Sequence, residues 1–219
     1  MQTVVDPSHT ESIITGMKIG LISDVHGDLK ALNRALNLLH DDHNIETIWC
    51  AGDLVGRGKY PDEVVARIIT TGIPTVMGNH DEMTLILQHH ALSRGLSPEK
   101  ALGYSAYTLH LLTTLPRTYR VQIEGRTVVM VHGTPRSNNE SVSIKPAERN
   151  QAFDWLEKIG ADILITGHTH VPMVLQDYRG LIVNPGSLFD PRGFQRSSSE
   201  TYGILDVSHM HFAYYPLWD

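Results

Sequence analysis

The chain has 219 residues, 41% of them hydrophobic, with a formal net charge of −6, 13 histidines and a single cysteine. This length suits one domain with a sizeable core rather than two independent ones, and no apolar run approaches the roughly 18 residues that a membrane span requires. The acidic balance argues against long nucleic acid as a partner, because a general basic field is what binds a phosphate backbone. Cys50, in the apolar stretch Ile48-Trp49-Cys50-Ala51, reads as a core residue. One cysteine cannot form an intramolecular disulfide, and a cytoplasmic location follows as the expectation.

Residues 1–16 have neither a basic n-region nor an apolar h-region and read as a flexible N-terminal tail, followed by a single domain over 17–219. Met17 offers an alternative start. From Lys18 an apolar run, Ile19 to Ile22, ends in Ser-Asp-Val-His-Gly, and Leu29, Leu32, Leu36 and Leu39 then repeat at helical spacing, with Asp28 at the N-cap position. Ile45 to Ala51 reads as a second strand and runs into Gly-Asp-Leu-Val-Gly-Arg-Gly. Pro61 opens a helix with Val64, Val65, Ile68 and Ile69 on one face. Ile73 to Met77 reads as a third strand, ending in Gly-Asn-His-Asp-Glu. Strands alternating with helices predict an α/β fold with a parallel sheet, whose ligands gather at the carboxyl ends of the strands. All three polar loops fall at such ends.

The segment Asp81 to Leu112 reads as helical, with a break near Gly95 to Pro98. Tyr119 to Ile123 and Thr127 to Val131 flank Glu124-Gly125-Arg126 as a hairpin. A helix from Pro146 to Ile159 and a strand from Asp162 to Thr166 lead into Gly-His-Thr-His. Short strands near Met173–Gln176, Leu181–Val183, Tyr202–Val207 and His211–Tyr215 finish the chain, with Arg196-Ser-Ser-Ser as an exposed loop.

Asp24 and His26, two apart after the first strand, can converge on one point, although a strand-end Asp can equally cap the next helix. Gly52-Asp53, Gly78-Asn79-His80-Asp81, His132-Gly133 and Gly167-His168-Thr169-His170 follow in order, each at a predicted strand end. Each piece alone is weak, and together they are strong. A glycine in each motif permits close backbone approach. Asp, His and Asn form an oxygen and nitrogen set suited to Mn, Fe, Zn or Ni rather than to a thiolate-bound structural zinc.

This set of motifs resembles the signature of the calcineurin-like metallophosphoesterases, over roughly residues 18 to 216. Asn184-Pro185-Gly186-Ser187, with Pro191-Arg192 behind it, resembles the small prokaryotic phosphodiesterases of that superfamily. The resemblance implies a four-layer α/β/β/α sandwich (metallo-dependent phosphatase-like), two mixed sheets flanked by helices. It implies two divalent transition-metal ions, Mn²⁺ foremost with Fe, Zn or Ni as alternatives. Asp24, His26 and His170 would hold one ion, and Asn79, His132 and His168 the other. Asp53 would bridge them, and a metal-activated hydroxide would attack the phosphorus.

In the same pattern His80 resembles the family's non-ligand histidine, which faces the substrate as a general acid. Asp81 would then accept a hydrogen bond from the far nitrogen of that ring, or else act as a helix-capping acid. Arg57 resembles the phosphate-binding arginine of the serine/threonine phosphatases, with Gly56 where those enzymes have Asp; the alternative is an exposed loop arginine, and Arg192 carries the same ambiguity. His40, His43, His89, His90, His110, His209 and His211 lie outside the motifs and are assigned no chemistry, and helix-surface or packing roles are favoured for Tyr104 and Tyr107. The expected substrate is a small phosphoester or nucleotide, cleaved as a diester. The competing readings are a phosphomonoesterase, a nuclease and a non-catalytic scaffold, the last disfavoured because His80 and every expected ligand are present. Homo-oligomerisation stays open.

Overall fold

The computed structural model describes residues 16–143, 145–189 and 200–218. The predicted tail, apart from Gly16, and the predicted roles of Arg192 and the Arg196 loop lie outside the described residues. The first strand, β1 (Lys18–Ile22), leads through Asp28, whose carboxylate accepts the Ala31 N–H, into α1 (Leu29–Asn37). A wider π turn over Leu38–Asp42 follows, and it buries Leu39. Then come β2 (Ile48–Cys50), α2 (Pro61–Thr70), α3 (Asn79–Ser93), α4 (Pro98–Leu102) and α5 (Ala106–Leu112). The second half supplies β3 (Thr118–Ile123), β4 (Arg126–Val131), α6 (Pro146–Lys158), β5 (Ile163–Ile165), β6 (Met173–Asp177), β7 (Gly180–Asn184), β8 (Thr201–Asp206) and β9 (His211–Pro216).

Two mixed sheets result, ordered β2-β1-β8-β9 and β3-β4-β5-β7-β6. In the first, β1 and β2 are parallel, β8 runs against β1, and β9 turns back antiparallel to β8; in the second, β4, β5 and β7 are parallel and β3 and β6 close the edges antiparallel. The predicted third strand, Ile73 to Met77, is corrected to a single bridge between Cys50 and Thr75. Its neighbours bond elsewhere: Ile73 N donates to Ile68 O at the end of α2, and Met77 N donates to Pro116 O. The predicted second strand begins later than expected because Ile45 N is taken by Leu39 O of the π turn.

Side-chain alternation along the strands separates the core into three slabs. Ile19 and Leu21 of β1, Val128 and Met130 of β4, Ile163 and Ile165 of β5, and Leu181 and Val183 of β7 meet between the sheets. Ile22 faces α1 and α2 through Leu32, Val64 and Ile68. On the far side Val129, Leu164 and Ile182 pack on Phe153 and Leu156 of α6. Three slabs between four layers are the α/β/β/α sandwich that the resemblance implied. No helix among the described residues is long and apolar enough to cross a membrane.

Candidate metal centre

Parallel strands in both sheets end at one edge, so the segments that follow β1, β2, β4 and β5 come together there with the N-terminus of α3. Those segments carry Asp24 and His26, Asp53, His132, and His168 and His170, while α3 opens with Asn79 and His80. Asp24, His26, Asp53 and His132 are almost wholly buried. The structure brings together all seven residues expected as ligands.

They form two groups. His26 Nε2 lies 3.1 Å from His170 Nε2, and His170 Nε2 lies 3.2 Å from Asp24 Oδ1. Asn79 Oδ1 lies 2.9 Å from His132 Nε2 and 2.9 Å from His168 Nδ1. Asp53 Oδ2 touches both groups, 3.6 Å from His26 Nε2 and 3.3 Å from His132 Nε2. Its other oxygen, Oδ1, is held by the His80 backbone N–H at 2.8 Å.

The donor chemistry fits a pair of cations. His26 Nδ1 donates to the Val55 carbonyl and His132 Nδ1 to the Ala51 carbonyl, which leaves each Nε2 lone pair aimed at the shared centre; this is the arrangement by which metal-binding imidazoles are oriented. Asp24 Oδ1 is buried with no hydrogen-bond partner, although Oδ2 accepts from Ser23 Oγ and His168 N. An orphaned carboxylate oxygen beside facing ring nitrogens is costly unless a cation completes it. The field agrees. Burial opposes charging His132, yet its bond to Asp53 and the two carboxylates carry it up to about 9. Burial alone would raise Asp53, but His132 and His26 hold it down at about 2. His26, where burial dominates, falls to about 4 and stays neutral as a ligand must.

His80 stands at the rim, its ring centroid 4.8 Å from that of His26 and its plane nearly perpendicular. Burial lowers its pKa. Arg57 is exposed on the loop before α2, and its Nη2 lies 3.4 Å from His80 Nε2. Gly56 has φ +112°, and a Cβ there would sit 2.6 Å from His80 Nδ1. The close approach of this ring explains why no side chain stands where the serine/threonine phosphatases carry Asp.

Asp81 does not partner His80. Its Oδ2 accepts from Asp53 N and Gly78 N, and its Oδ1 accepts from Leu54 N and Val55 N, all within 3.1 Å. The carboxylate caps α3 and clamps the loop that carries Asp53, so the capping alternative describes it better than the catalytic one. Burial and the neighbouring Asp53 charge push Asp81 up to about 7, and the backbone donors oppose them. Each oxygen faces two N–H donors, so the anion is the form this pocket fits.

Sequence reasoning gave no role at the site to Ser23 or to Ser187, which it named only as the end of the Asn184-Pro185-Gly186-Ser187 motif. Ser23 Oγ fixes Asp24 Oδ2, while Ser187 Oγ donates to the Asp24 carbonyl at 3.0 Å. Ser23 adjoins a candidate ligand, which was a usable signal; Ser187 is 163 positions downstream of Asp24, and its motif did not reveal that it bonds there.

Residues 17–210 match the calcineurin-like phosphoesterase superfamily domain. The chain is 29% identical over 210 residues to an uncharacterized protein of Methanocaldococcus jannaschii, covering 86% of this chain and 82% of that one. It is 34% identical over 117 residues to a symmetrical bis(5'-nucleosyl)-tetraphosphatase of Proteus mirabilis, a match that covers 51% of this chain and 42% of that protein. The crystal structure of a metallophosphoesterase from Sphaerobacter thermophilus has a TM-score of 0.69 at 26% identity, covering 91% of this chain and 87% of the other. With a domain match that spans the whole candidate centre and a fold to accompany it, this protein belongs to the calcineurin-like phosphoesterase superfamily.

Proposed function

We propose that the protein is a metal-dependent phosphodiesterase acting on a small phosphoester or a nucleotide. The observation that carries this reading is the position of Asp53 Oδ2 between two sets of converging donors, Asp24, His26 and His170 on one side and Asn79, His132 and His168 on the other. Two divalent ions held by these residues, Mn²⁺ foremost, would polarise the phosphoryl oxygens and make water a nucleophile near neutral pH. Asp53 sets the spacing of the two sets through Oδ2, while the His80 amide fixes Oδ1. The His80 side chain, at the rim beside His26, delivers a proton to the departing oxygen. Arg57, exposed next to that ring, binds non-bridging phosphate oxygens with its planar guanidinium.

The nucleotide class draws support from the name of the Proteus mirabilis relative, a symmetrical bis(5'-nucleosyl)-tetraphosphatase, whose match covers 51% of this chain. The test is hydrolysis by metal-stripped protein reloaded with Mn²⁺, with a bis-aryl phosphodiester, the aryl monoester and diadenosine tetraphosphate as substrates and Asp53→Ala alongside. Wild type is expected to prefer a diester or the dinucleotide, and Asp53→Ala to lose roughly 10³-fold or more in kcat/KM. A preference for the monoester would replace the diesterase reading with the phosphatase one, and full activity in Asp53→Ala would refute the centre.

A further inference from the structure

The turn that carries His168 and His170 has a strut the reaction chemistry does not account for. Asn184, at the end of β7, is buried, with 1% of its surface exposed. Its Nδ2 donates to the Gly167 carbonyl at 2.6 Å and to Thr169 Oγ1 at 3.2 Å, while its Oδ1 accepts the Gly186 N–H at 2.8 Å. Both amide hydrogens and the amide oxygen are therefore used. Gly167 precedes His168, and Thr169 separates the two histidines, so the carboxamide grips the turn on either side of His168 and next to His170. Both histidines are in the left-handed region, at φ +68° and +59°. A backbone held there needs surrounding structure to fix it.

We propose that Asn184 is a positioning residue of the metal centre, which sets affinity for both ions by holding the turn that presents His168 to one and His170 to the other. The assignment rests on the metal-centre reading given above. Neither hydrogen bond of Nδ2 reaches a ligand side chain. The coupling runs through backbone, and one residue governs both halves of the site.

Calorimetric titration of Mn²⁺ into metal-stripped full-length protein, with thermal melting alongside, tests it. Asn184→Ala is expected to bind Mn²⁺ about 10- to 100-fold more weakly at both steps, the range found when outer-shell partners of metal ligands are removed. Leu156→Ala, on the buried face of α6, is expected to lower Tm without touching the turn and to keep wild-type affinity. Thr169→Val removes only the hydroxyl and is expected to fall between the two. Asn184→Ala that melts early yet binds both ions as wild type does would overturn the assignment. Where that variant fails to fold, Thr169→Val decides: a several-fold loss of affinity supports the strut and unchanged affinity overturns it. Wild-type protein that takes up fewer than two Mn²⁺ would overturn the metal centre itself, and the assignment with it, before any variant is compared.

Discussion

The two ends of the sheets bend their backbones in the same way for different reasons. Among the described residues eight that are not glycine have positive φ, and five of them, Asp24, His26, Asp53, His168 and His170, are candidate ligands at the metal edge, with φ between 49° and 68°. The other three, Asn44, Glu124 and Met210, lie in connections at the opposite end, before β2, between β3 and β4, and between β8 and β9. A turn at the surface accepts many residues, so its strain is incidental. At the metal edge the side chain is dictated by chemistry, and the backbone must adopt a left-handed conformation that costs about 1–2 kcal/mol per residue. Buried hydrogen bonds from Ser23, Asp81, Asn184 and Ser187 surround that edge and offset the cost.

Breaking one of those bonds gives the largest effect. In Asp81→Asn the amide nitrogen replaces one oxygen, and either oxygen accepts two backbone N–H groups, so two buried donors lose their acceptor whichever way the amide turns. The expected destabilisation is about 2–4 kcal/mol, read as a lowered urea midpoint. Mn²⁺ affinity should fall with it, because Asp53 N is one of those donors. An unchanged midpoint would show that the clamp does not offset the strain at Asp53.

At the opposite end the same type of backbone should be indifferent. Asn44 is exposed at φ +55°, a conformation that glycine adopts freely. Asn44→Gly is expected to shift stability by no more than about 1 kcal/mol in either direction, relief of the left-handed conformation being set against the greater freedom of the unfolded chain. Mn²⁺ affinity should match wild type. A loss of affinity would mean that the two ends are coupled and that the contrast between them is wrong.

The metal edge was far more legible in the sequence than the means of holding it. Asp24, His26, Asp53, Asn79, His132, His168 and His170 stand within three residues of a glycine at the ends of apolar runs, and local pattern finds them. The helices from Pro61 and through Asp81 to Leu112 were equally plain, with α3, α4 and α5 falling on either side of the expected break. The order β3-β4-β5-β7-β6 was not readable, because parallel neighbours such as β4 and β5 pair across an intervening helix and the pairing leaves no local mark. Ile73 to Met77 looked like a strand because its composition suits one, but beyond the bridge to Cys50 its ends bond to α2 and to Pro116. Asp81 looked like a partner for the ring beside it, whereas two of its hydrogen bonds run to Leu54 and Val55, 27 and 26 residues upstream.

A milder form of the Asp81 device occurs near the surface and sharpens the contrast between buried and exposed carboxylates. Asp62, in the first turn of α2, accepts from Ser105 N at 3.0 Å and from Ser105 Oγ at 3.0 Å, tying α2 to the N-cap of α5. Its slight burial raises the pKa, and the neighbouring Thr108 hydroxyl together with the hydrogen bonds from Ser105 N and Oγ outweighs this and lowers it below the usual carboxylate value. A folded pKa below the unfolded one of about 3.9 means that the bond stabilises the fold fully above the unfolded value and that this contribution is lost as pH falls towards the folded value. Because the group is largely open to water, screening limits the effect to a few tenths of a kcal/mol, at most about 1. Wild type should therefore exceed Asp62→Asn in urea midpoint at pH 7, with the gap closing as pH drops below about 4. A gap that widened on acidification would show that Asp62 is held as the neutral acid, and that backbone donors do not govern carboxylates at the surface as they do at the metal edge.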